Sequence, residues 1–177
     1  MYRILLTSAL VGLCSAKCSF PNGTDTQLNW WQGATTSKIT FTSVDAVDAN
    51  GVTVYPIPLT KPLSVKTHLD NEQGVFTDPN LRMDIKIYEY GGLVGCSWST
   101  VPTFGLLDNL DACTSGVPCP VQTGDQDLTM VIDFTKYSSI ISLLDNDSPY
   151  QIELKLTDKT SNTYVTIMAQ ARCLTKD

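Results

Sequence analysis

The sequence predicts an all-β domain, an immunoglobulin-like two-sheet β-sandwich. Three observations carry this. Short runs of alternating apolar and polar residues recur along the chain. Gly, Pro, Asn and Asp clusters separate those runs at turn spacing. Six cysteines follow or interrupt an N-terminal leader, the usage of a secreted β domain.

The leader comes first in the chain. Arg3 gives a positive charge, Ile4 to Leu13 an apolar stretch of ten residues, and Cys14-Ser15-Ala16 a small-residue end. This is the pattern of a secretion signal over 1–16, cleaved after Ala16, with one domain over 17–177. The stretch is too short for a bilayer-spanning helix, which needs about 20 apolar residues. About 160 residues remain, enough for a single core.

The elements follow in order. Lys38 to Val44 alternates, with Ile39 and Phe41 on one face. Pro56, Pro58 and Pro62 punctuate an extended, edge-like stretch. Leu63 to Leu69 reads as another strand. Arg82 to Tyr88 is the clearest, with Met83, Ile85 and Ile87 inward against Arg82, Asp84 and Lys86 outward. Asp127 to Phe134 carries Leu128, Met130, Ile132 and Phe134 on one face. Lys136 to Leu144 is irregular or briefly helical. Gln151 to Leu156 turns Ile152, Leu154 and Leu156 inward, and Asp158 to Asn162 is the turn joining Tyr150–Thr157 to Tyr164–Cys173 as a hairpin.

The chemical inventory argues against catalysis. His68 is the one histidine, so neither a zinc cluster nor a Ser-His-Asp triad has the ligands or the setting it needs. No Gly-x-Ser-x-Gly elbow is present. Asp108, Asp111, Asp125 and Asp127 fall in loops or at strand edges, where solvated carboxylates are the rule rather than a glycosidase pair. No catalytic residue, metal or cofactor is therefore expected. Loss of Arg3 with the leader leaves eleven basic against eighteen acidic residues, a net of −7. Such a surface excludes nucleic acid as a partner, since phosphates demand Lys and Arg. Asn22-Gly-Thr24 and Asn146-Asp-Ser148 are glycosylation sequons. Removal of Cys14 with the leader leaves five cysteines, and Cys96 reads as the odd one. It is then a buried thiol, a link to another chain, or a partner for Cys14 were cleavage to fall earlier.

The segment Asp111-Ala-Cys113-Thr-Ser-Gly-Val-Pro-Cys119-Pro120 resembles the central clip of the ML lipid-recognition domain family. That family includes the lysosomal cholesterol-transfer protein of Niemann–Pick type C disease, the ganglioside activator protein and the mite group-two allergens. The order of elements after the clip also resembles the family's, as far as Cys173. The resemblance implies disulfides Cys18–Cys173 and Cys113–Cys119, and a sandwich whose sheets part to hold a lipid. It implies a secreted or endolysosomal, non-enzymatic carrier of a sterol, phospholipid or glycolipid. Such a carrier would make transient membrane contact and hand its cargo to a membrane or a protein acceptor.

The cavity would then be lined by Phe41, Met83, Ile85, Ile87, Leu128, Met130, Ile132, Phe134, Ile152, Leu154 and Leu156. Phe104, Leu106 and Leu107, with Ile140, Ile141 and Leu144, would form apolar loops at its mouth or against a bilayer. Alternation by itself describes a filled core equally well, which is the reading of an extracellular recognition module. A lipid-presenting innate-immune or activator protein is the third reading.

Overall fold

The computed structural model describes residues 18–92 and 95–176; the leader expected over 1–16, with Cys14, lies outside them. Among the described residues ten strands build two sheets. They are β1 (Asn29–Thr35), β2 (Ile39–Val47), β3 (Ile57–Pro58), β4 (Leu63–Asn71), β5 (Leu81–Tyr90), β6 (Trp98–Thr100), β7 (Leu110–Asp111), β8 (Gly124–Ile132), β9 (Ser148–Asp158) and β10 (Thr163–Leu174). The large sheet runs β1-β10-β9-β5-β6, with β3 added to β10 and β7 to β5; the small sheet is β2-β4-β8. The expected two-sheet sandwich is what the chain forms.

Period-2 alternation decides which faces meet. Leu81, Met83, Ile85 and Ile87 of β5 are buried, as are Leu128 and Met130 of β8. The β9–β10 hairpin closes as expected. Asp158 carboxylate oxygens accept from the Thr160 and Ser161 amides at 3.2 and 2.8 Å, so the turn satisfies its own donors. Phe134–Tyr137 forms a 3-10 turn that runs into one short helix, α1 (Ser138–Ile141), in the stretch expected to be irregular. Strands β1, β6 and β7 are additions to the expected set. They are edge strands too short or too mixed in polarity to alternate cleanly.

The disulfide pairing needs one correction. Cys113–Cys119 closes the clip, but Cys18 bonds Cys96 and not Cys173. Cys173 is instead the buried free thiol, 3% exposed, a role expected of Cys96. Strand parity explains the difference. The N-terminal arm lies against residues of the opposite parity on β10. The Asn22 side-chain Nδ2 donates to Gln170 Oε1 at 2.7 Å, and the Arg172 guanidinium sits 5.5 Å over the Phe20 ring. Cys173 points the other way, into the interior. The Cys18 sulfur instead meets the turn after β5, 3.5 Å from where a Cβ on Gly91 would stand.

The clip is seated on the small sheet by glycine. The Gly116 carbonyl accepts from the Val131 amide at 2.9 Å. A Cβ at this position would stand 2.0 Å from the Val131 carbonyl oxygen, and φ is +118°. Only glycine permits that approach.

Candidate functional site: an apolar cavity between the sheets

The two sheets enclose a cavity of ≈ 80 Å³. The small sheet and the segment after it contribute Val44 and Ala46 (β2), Leu63 and Val65 (β4), Met130 and Ile132 (β8) and Phe134. The large sheet contributes Ile57, Tyr150, Ile152, Leu154 and the row Ile167, Ala169, Ala171, Cys173 of β10; Leu28 and Leu59 complete the wall. The polar side-chain groups in this lining are a hydroxyl and a thiol. The Tyr150 hydroxyl donates to the Asp145 carbonyl at 3.0 Å, and burial raises its pKa. Burial pushes the Cys173 thiol up to about 12, which keeps it a neutral, inert sulfur.

Of the residues expected to line a lipid site, Met130, Ile132, Phe134, Ile152 and Leu154 border this cavity. Phe41, Leu128 and Leu156 instead border a separate void of ≈ 20 Å³ at the other end of the sandwich. Met83 and Ile85 floor a groove of ≈ 330 Å³ on the β8 flank. Ile87 and Ile140 are packed in the core. Leu107, expected in an exposed loop, is 3% exposed; its carbonyl accepts from the Ile85 amide and draws the side chain inward. Phe104 and Leu106 are exposed, at 78% and 47%. Phe104 stands at φ +52°, an unusual conformation for a bulky residue, at the tip of its turn.

Sequence reasoning missed the β10 row and Val44 and Ala46. The β10 row was legible as every-second-residue apolar positions; Val44 and Ala46 were not, because a bulge between Phe41 and Ser43 reverses the parity set by Ile39 and Phe41.

The cavity shares walls with the surface. Leu59 and Phe134 also line an outer vestibule of ≈ 570 Å³, together with Ile141, Leu143, Leu144 and Asn146. Ile132 separates the cavity from the β8-flank groove. Leu28, Val44 and Ala46 separate it from a groove of ≈ 300 Å³ at the β1–β2 seam.

No family model matches the chain, and no curated protein matches it. Among solved structures, the chain is similar to the crystal structure of a Niemann-Pick type C2 protein from Japanese carpenter ant. The TM-score is 0.47 at 11% identity, over 82% of this chain and 98% of that one.

His68 lies on the outer face of the small sheet, away from the cavity. Its Nδ1 is 2.8 Å from Asp127 and its Nε2 2.9 Å from Asp125. The hydrogen bond to Asp127 is the main cause that raises its pKa. Both ring nitrogens are engaged by carboxylates, so the ring is held as a partner in an ion cluster. Among the described residues no cluster of three His, Cys, Asp or Glu is placed to hold a metal ion. No helix of these residues is long and apolar enough to cross a membrane. Both sequon asparagines are exposed. The Asn22 side chain donates to Gln170, and the Asn146 side-chain Oδ1 accepts from the Thr175 and Lys176 backbone amides at 2.9 and 3.2 Å.

Proposed function

We propose that the protein is a secreted or endolysosomal carrier that holds a lipid between its two sheets and admits it past Leu59 and Phe134. The observation that carries this is the apolar cavity walled off from a larger vestibule by two side chains. An apolar cavity stays dry and takes apolar ligands. At ≈ 80 Å³ it lies below the ~300–1,000 Å³ of ordinary ligand sites, so loading requires the sheets to part. Ladder hydrogen bonds run within each sheet, and the sheets meet through non-directional apolar contact. A lipid replaces that contact, returning about 0.8 kcal/mol per buried methylene.

The leader over 1–16, the two disulfides and the sequons at Asn22 and Asn146 support passage through an oxidising secretory compartment. Exposed Phe104 and Leu106, with Leu143 at the vestibule, are the residues we assign to transient bilayer contact. The cargo is a sterol, phospholipid or glycolipid, delivered to a membrane or to a protein acceptor.

The small size of the cavity favours one second reading, a filled-core extracellular recognition module. Native mass spectrometry of the secreted protein, followed by organic extraction, separates the two. A co-purified lipid at one per chain is the expected result. A lipid-free mass, unchanged after incubation with sterol, phospholipid and ganglioside, leaves the recognition module.

A further inference from the structure

The seam between β1 and β2 bears a groove that no part of the carrier reading has used. Its floor is Leu28, Trp30 and Tyr55 with Val44 and Ala46 of β2, under a polar rim of Thr26, Gln27, Asp45 and Thr53. Leu28, Val44 and Ala46 are also cavity wall, so the groove and the cavity are separated by single side chains, the smallest of them an alanine. The mouth at Phe134 follows β8, one edge of the small sheet, and Val44 and Ala46 sit on β2, its other edge. Vestibule, cavity and seam groove are therefore successive compartments crossing beneath the three strands β8, β4 and β2, the cavity apolar and the outer two of mixed polarity. The two sheet edges lie about 10 Å apart at ordinary strand spacing.

We propose that the seam groove is a distal subsite that receives the methyl end of a long acyl chain entering past Phe134. This rests on the carrier reading and narrows its cargo to lipids with an extended chain. A flexible chain can pass one compartment after another by displacing Leu28 and the Val44–Ala46 wall. A rigid fused-ring sterol cannot bend through them. Trp30 is half-buried at the groove and acts as a built-in reporter of the chain's end.

The test uses delipidated, full-length secreted protein and two stearates, one with a nitroxide near the methyl end and one near the carboxyl end. Binding is first measured by native mass spectrometry. The Trp30 signal is then taken as the difference between parent and Trp30→Phe, which removes the contributions of Trp31 and Trp98. Strong quenching of Trp30 by the methyl-end label and weak quenching by the carboxyl-end label is the expected result. A second variant, Ala46→Ile, thickens the shared wall and should weaken stearate about tenfold more than it weakens dodecanoate. Stearate bound at one per chain with Trp30 quenched equally by both labels, or by neither, overturns the subsite and leaves the carrier standing. A sterol preferred over every acyl lipid does the same. No lipid bound at all overturns the carrier reading and the subsite together.

Discussion

Filling the central cavity should make the protein more stable and less able to bind. Ala171 is buried on β10 and lines the cavity. A void of ≈ 80 Å³ destabilises a fold by about 2 kcal/mol, at roughly 24 cal/mol per Å³. Ala171→Leu adds three carbons into that space, and its gain is capped by the same figure of about 2 kcal/mol. Delipidated variant protein should therefore resist urea by about 1–2 kcal/mol more than the parent and melt roughly 2–8 °C higher. Ala171→Val should fall between the two. Lipid binding by native mass spectrometry should drop at least about tenfold in Ala171→Leu, because the side chain stands where the cargo lies. The signs are opposed, which is what makes the test informative. A merely overpacked core loses about 1–3 kcal/mol. A Leu variant that is less stable than the parent and still loads lipid normally would refute both the void and its role.

Three further outcomes are expected. Gly116→Ala forces a Cβ to within 2.0 Å of the Val131 carbonyl and breaks the clip's seat on β8; urea melts should show a loss of about 3 kcal/mol from strain and a lost hydrogen bond. Asn71 is fully buried, donating to the Gly74 and Gln122 carbonyls at 2.6 and 2.8 Å and accepting from the Gln73 amide at 3.0 Å, so Asn71→Ala should lose about 2–4 kcal/mol by the same assay. The third concerns pH. The Asp127 hydrogen bond raises the pKa of His68, so its contribution is full below the unfolded value near 6.5 and fades as pH rises through the folded value. The His68 hydrogen bond lowers that of Asp127, whose contribution is present above about 3.8 and fades as pH falls through its folded value. Both are present together in mildly acidic solution. The difference in urea midpoint between the parent and His68→Gln should accordingly be largest near pH 5 and shrink as pH rises through the folded value of His68.

Much of the sandwich was legible because β5, β8 and β9 alternate cleanly, and burial of every second residue leaves its mark directly in the sequence. β1, β6 and β7 were not, because an edge strand is held by its partner's ladder and needs no apolar face of its own. The clip disulfide was legible from a spacing of six residues. The Cys18 partner was not, because it depends on which face of β10 the N-terminal arm crosses. The site was half legible. Alternation says which residues turn inward, yet Leu128 and Leu156 turn inward at the tight end and Met130 and Leu154 at the hollow end. That distinction comes from how far the sheets separate along their length, which no local pattern encodes.

The separation has identifiable causes. At the tight end the Gln32 side chain on β1 accepts from the Phe41 amide at 2.8 Å and donates to the Ile39 carbonyl at 3.0 Å, tying the large sheet to the edge of the small one. Asn71 and the Phe76–Val121 bridge close the same end. At the hollow end the ties run through loops: the Ala46 carbonyl accepts from the Val54 amide at 2.9 Å and the adjacent Tyr55 hydroxyl accepts from the Arg172 amide of β10 at 2.8 Å, while the clip bonds the Leu81 carbonyl of β5 through Ala112 and the Val131 amide of β8 through Gly116. Neither disulfide links the sheets. Cys18–Cys96 joins the N-terminal arm to the turn between β5 and β6, while Cys113–Cys119 closes a short loop. Both bridges therefore stiffen their own surroundings. A sandwich pinned by a strand-borne side chain at one end and held through loops at the other can open by pivoting as those loops give, breaking apolar contacts and no ladder hydrogen bonds within either sheet. Adding a link should abolish that motion. A disulfide engineered between β2 near Ala46 and the facing end of β1 should hold the hollow end shut under oxidising conditions, block lipid loading, and restore it on selective reduction. Loading at an unchanged rate in the oxidised form would show that cargo enters without the sheets parting at this seam.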